Sequence, residues 1–175
     1  MSFGGDIESV TIVVATFMLG LGIGALAGGW LADRWPQRIL LLFAASEAGI
    51  GLFGLISVDA IRTLGHALAG APSALAAAVN FVVLLVPTSM MGATLPMLVA
   101  HAARRSGNVG VSIGGLYFAN TLGAAAGCYV IGFVWFARFD LPSAVQGAAA
   151  LNLVVALAIA LAVAALAVSR PDRTP

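Results

Sequence analysis

The chain has 175 residues, of which 61% are hydrophobic and 9% charged, and a net charge of +1; its mean hydropathy is +1.06. A soluble domain carries about 25% charged residues to face water, so the composition excludes a soluble globular enzyme, a nucleic-acid-binding domain and a disordered chain. All eight basic residues are arginine, and the single cysteine, Cys128, permits neither an internal disulfide nor a zinc cluster.

The remaining class is an all-α membrane protein, a single transmembrane helical domain over residues 1–175. A helix needs about 20 apolar residues to cross the hydrocarbon core. Five such runs lie between charged or turn-forming breaks, at about 10–31, 39–58, 73–103, 111–136 and 141–168. The apolar/polar alternation of barrel strands is missing.

The first span carries Gly20, Gly24 and Gly28 on one helical stripe. Small residues so placed let two backbones approach closely, a principal source of helix association in lipid. Gly22-Ile23-Gly24-Ala25-Leu26-Ala27 matches a dinucleotide fingerprint, but residues 25–32 offer no polar outer face. No nucleotide or other cofactor is expected. Pro36, in the run Asp33-Arg34-Trp35-Pro36-Gln37-Arg38, ends the first helix.

Glu47, in the second span, is the only ionisable residue in the interior of any span. A membrane carboxylate faces a bundle interior, a water-filled cavity or a partner charge. It reads either as a proton or cation site or as a polar group joining helices. Beyond this span, Asp59, Ile61, Leu64 and Leu68 suggest an interfacial helix at about 60–69, closed by Gly70 and Pro72.

Pro87 and Pro96 break the regularity of the third span, and Thr88, Ser89 and Thr94 can re-satisfy the carbonyls that prolines free. Such a helix can line a cavity. The fourth span adds Tyr117, Asn120 and Thr121, then Gly123 and Gly127, which predict a second tightly packed helix face; Asn152 is polar in the fifth. The candidate intramembrane polar site is therefore Glu47, Thr88, Thr94, Tyr117, Asn120 and Thr121. No catalytic nucleophile or metal set is present, since His66 and His101 have no second ligand at metal spacing.

Arginine placement orients the chain. Arg34, Arg38, Arg104, Arg105, Arg170 and Arg173 fall on one side, whereas Arg62 and Arg138 fall on the other with Asp6, Glu8, Asp59 and Asp140. The N-terminus is expected outside and the C-terminus in the cytoplasm.

Two stretches resemble known families. The loop motif with Gly29, Asp33, Arg34 and Arg38 resembles the major facilitator signature G-x-x-x-D-R-x-G-R-R, with Pro36 and Gln37 in place of its glycine and one basic residue. Residues Phe17 to Gly24, then Glu47, then Met91-Gly92-Ala93-Thr94-Leu95-Pro96, then Tyr117-Phe118-Ala119-Asn120-Thr121-Leu122-Gly123, resemble in order and spacing the membrane domain of fused major facilitator/spermidine synthase proteins. The resemblance covers roughly residues 10–160 and begins at what corresponds to that family's second helix. It implies a partial facilitator half bundle in the bacterial cytoplasmic membrane, without the soluble domain that carries aminopropyl transfer.

These readings predict a non-catalytic membrane subunit or scaffold, packed through glycine-rich helices against other membrane chains or itself. The alternative is a half-size permease for a polyamine-like cation or a proton, acting as an oligomer because alternating access needs two repeats about one site. The lipid bilayer is the solvent in either case, and nucleic acid is not a partner.

Overall fold

In an apolar medium an open chain satisfies its backbone N–H and C=O groups only as a helix, and each apolar run has become one. The computed structural model describes residues 3–169, with side chains from residue 10 onward and residue 73 excepted. Asp6 and Glu8 as side chains, and Arg170 and Arg173 altogether, lie outside the described residues. The elements are α1 (Phe3–Arg34), a 3-10 turn (Pro36–Arg38), α2 (Ile39–Ala67), α3 (Ser73–Ser106), α4 (Val109–Tyr129) continuing as a π-helical stretch (Val130–Trp135), and α5 (Leu141–Val168). Among the described residues there is no strand, and five helices are long and apolar enough to cross a membrane.

Local chemistry sets the helix ends. Asn108 starts α4 by accepting the Val111 backbone N–H at 3.1 Å, and Asp140 starts α5 by accepting that of Ser143 at 3.0 Å. Gly107 closes α3 in the left-handed region at φ 67°, its N–H reaching the Ala103 carbonyl at 2.9 Å. Gly70, at φ 94°, turns the chain after α2.

One element differs from the sequence reading. The interfacial helix expected at about 60–69 is instead the last turns of α2, which runs unbroken to Ala67. No glycine or proline interrupts residues 55–64, and the Thr63 hydroxyl bonds back to the Asp59 carbonyl at 2.8 Å within the same helix. Asp59 is therefore an interior residue of α2 and caps nothing.

Small residues bring the helices together. α1 and α3 run parallel, with Gly20 against Thr88, Gly24 against Ser89, and Gly28 against Ala93; Gly92 of α3 answers against Leu21. A Cβ at any of these glycines would overlap its neighbour, and at Gly24, Gly28 and Gly92 the neighbour is backbone, which cannot yield. α2 lies antiparallel to α5, where Gly51 and Gly54 receive Ala149, and antiparallel to α3, where Gly49 receives Met90. The buried cluster of Ala32, Ile39, Phe43, Ala93 and Met97 ties α1, α2 and α3 at one end.

That end is also where the arginines gather. The Arg104 guanidinium on α3 donates to the Ala32 carbonyl of α1 at 2.8 Å and pairs with Asp33 at 3.2 Å. Arg62 acts on Asp140 at the opposite end, near Arg138. Trp30, Trp35 and Trp135 sit at helix ends, and Trp30 meets Trp35 edge to face at 5.8 Å, as expected of interfacial aromatics.

α4 departs from the expectation of tight packing. It leaves α3 at Gly107 and stays exposed along its length, with only Ser112 buried. Gly114, Gly115, Gly123 and Gly127 have no atom within 4 Å of where a Cβ would stand. Small-residue spacing describes how flat a helix face is, and it does not specify which backbone comes to that face.

Candidate functional site

The five helices meet around a half-open cavity of about 570 Å³. α1 supplies Phe17 and Leu21, α2 Glu47, α3 Met91, Thr94 and Pro96, α4 Asn120, and α5 Asn152. An apolar cavity with a few convergent polar groups is the usual form of a small-molecule site, and this one lies well inside spans α2, α3 and α5.

Its polar groups combine acceptors with the amide donors of two asparagines. The Thr94 hydroxyl gives its own hydrogen to the Met91 carbonyl at 2.8 Å, so toward the cavity it offers only lone pairs. Glu47 contributes a carboxylate, and Asn120 and Asn152 each contribute an amide oxygen as well as donors. Pro96 has no N–H for the Gly92 carbonyl four residues back, and both residues line the cavity. Such a set suits a ligand carrying positive charge or N–H donors.

The structure brings together three of the six residues proposed from sequence, namely Glu47, Thr94 and Asn120, and adds Asn152. Thr88 is elsewhere: it is buried between α3 and Gly20 of α1, its hydroxyl on the Leu84 carbonyl at 2.7 Å. Tyr117 is 62% exposed, and the Thr121 hydroxyl is spent on the Tyr117 carbonyl at 2.9 Å, so both lie on the open side of α4. The hydroxyls near the prolines also bond differently from expectation. Thr88, Ser89 and Thr94 reach the carbonyls of Leu84, Leu85 and Met91, whereas Pro87 and Pro96 vacate those of Val83 and Gly92. Each hydroxyl is fixed to its own turn of helix, and its reach ends one or two carbonyls away from the vacated one.

The loop motif behaves as two halves. Asp33 is held by Arg104, whereas Arg34 and Arg38 are exposed and form no ion pair among the described residues. Gly29 faces open space. Sequence reasoning missed Gly49, Gly51 and Gly54, whose close spacing on α2 was the available signal for the α2–α5 contact.

A second hollow, of about 610 Å³, opens between the end of α4 and the start of α5. It is lined by Ala126, Gly127, Ala144, Gly147 and Ala148, with Trp135 at 3.2 Å from where a Gly147 Cβ would stand. Comparisons with known protein families, with curated proteins and with solved structures find no match.

Proposed function

We propose that this chain is a non-catalytic membrane subunit that packs against another membrane chain through α4 and the small-residue groove between α4 and α5. The observation that carries this reading is the contrast between the two glycine-rich helices. α1 uses Gly20, Gly24 and Gly28 to seat α3, while Gly123 and Gly127 on α4 meet nothing within the chain. A small-residue face gains dispersion contacts in lipid only when another backbone lies on it, and the α4–α5 groove offers that face on both walls. A helix of a partner chain fits this surface.

The orientation, with the N-terminus outside and the C-terminus cytoplasmic, follows from the arginines gathered at one end, and the location is a bacterial cytoplasmic membrane. The likeness of the Met91 to Pro96 and Tyr117 to Gly123 motifs to fused major facilitator/spermidine synthase membrane domains supports a facilitator-like half bundle that works beside other modules.

Cys128 supplies the test, because it is the chain's single thiol and stands exposed on α4 beside Gly127. A benzophenone maleimide attached there and photolysed in native membranes is expected to yield adducts containing a second polypeptide. Adducts to lipid alone overturn the reading.

A second reading rests on the polar-lined cavity at Glu47. The chain is then one half of an oligomeric permease for a small cation, with the α4 face joining the two halves around a central path.

A further inference from the structure

We propose that the arginine-rich end of the bundle binds the phosphodiester headgroup of an anionic phospholipid, in a cleft of about 300 Å³ between the start of α2, the end of α3 and the end of α5.

The two adjacent arginines that close α3 do different things. Arg104 turns toward α1, where it donates to the Ala32 carbonyl and pairs with the Asp33 carboxylate. Arg105 lines the cleft, and among the described residues it makes no hydrogen bond or ion pair. A guanidinium presents five N–H donors in a planar fork that matches two phosphate oxygens at once. His101, one helical turn before it, and Gln37 of the 3-10 turn share the same cleft and add further donors.

The rest of the lining distinguishes a lipid from a free phosphate ester. Leu40 of α2 with Val163 and Leu166 of α5 also line the cleft, and these residues belong to helices long and apolar enough to cross a membrane. The cleft therefore joins a cationic mouth to an apolar wall, as a phospholipid joins its headgroup to its chains. Basic pockets between transmembrane helices are known to take anionic headgroups in this way. Among the described residues, Asp33 is the one carboxylate of α1, α2, α3 or α5 at this end, and it is paired with Arg104.

The experiment measures lipid retention on the purified full chain by native mass spectrometry. The chain is exchanged into detergent with phosphatidylglycerol or with zwitterionic phosphatidylcholine. Wild-type chain is expected to retain one phosphatidylglycerol and to shed phosphatidylcholine. R105Q is expected to weaken retention roughly five-fold, the effect of removing one arginine beside a headgroup. R34Q removes an equal charge from the same end without touching the cleft, and is expected to leave retention unchanged. Equal retention of both lipids by wild type overturns the proposal without reference to any variant. Equal losses in R34Q and R105Q overturn it in favour of diffuse surface charge, and displacement by soluble glycerol 1-phosphate overturns it in favour of a free phosphate ester.

Discussion

Gly24 of α1 and Ser89 of α3 meet backbone to backbone: a side chain of even one carbon at Gly24 would fall on the Ser89 carbonyl oxygen. Gly22, two residues away on the same helix, has no atom within 4 Å of the corresponding position. G24L is therefore expected to destabilise the bundle by on the order of 1–3 kcal/mol, the usual cost of overpacking, while G22L is nearly neutral. Thermal unfolding in detergent or bicelles compares the two. Similar losses in both would place the α1–α3 contact elsewhere.

Arg104 fastens the same pair of helices at their ends. Its partner Asp33 is 85% exposed, and exposed ion pairs contribute about 0.2–1 kcal/mol. D33N should therefore cost less than about 1 kcal/mol, and added salt should remove most of the difference. R104Q should cost more, since it also removes the charged hydrogen bond to the Ala32 carbonyl, a type worth about 1.5–3 kcal/mol. Unfolding of the two variants and of the double variant at low and high salt measures the coupling.

Acid should loosen the start of α5. Hydrogen bonding from Ser143, its side chain first and its backbone N–H second, holds the Asp140 carboxyl below the usual carboxylate range, with Arg62 adding to the effect. A depressed folded value means that the cap's contribution is fully present above the unfolded value of about 3.9 and is lost as pH falls through the folded one. Hydrogen exchange at the Ser143 amide should accelerate in that window beyond the intrinsic rate. D140N should keep the cap, because asparagine caps as well as aspartate, and should abolish the pH response. An unchanged response in D140N would assign it to another group.

The cavity makes a separable prediction for the permease reading. If a cationic solute enters it, E47Q should abolish uptake of a labelled polyamine into membrane vesicles, and T121V should leave uptake unchanged, because the Thr121 hydroxyl is committed to the Tyr117 carbonyl outside the cavity. Equal uptake by wild type and E47Q removes Glu47 from any transport path.

Much of this architecture was legible because lipid leaves a chain few options. The fifth span, at residues 141–168, coincides with α5, since Asp140 and Pro142 mark its start and no charged residue interrupts it. The tail of α2 was less readable: Asp59 and Arg62 signal departure from the hydrocarbon, but a helix can continue into the interfacial region without a break. The site was legible in part for a related reason. Glu47 stands out as a charge in a span, whereas separating Thr94 and Asn120 from Thr88, Tyr117 and Thr121 requires knowing how each helix is rotated. Gly20 and Gly123 illustrate the same limit, as both lie on glycine-rich faces and only one finds a neighbour in the chain.

The mass of the intact assembly, extracted gently from native membranes, tests the subunit reading most directly. The account predicts a complex heavier than one chain, reduced to the single chain by G123A with G127A, positions where an added Cβ has no atom of the protomer within 4 Å, with helicity of the released chain checked by circular dichroism. A wild-type chain that travels alone, or a complex indifferent to both substitutions, would contradict it.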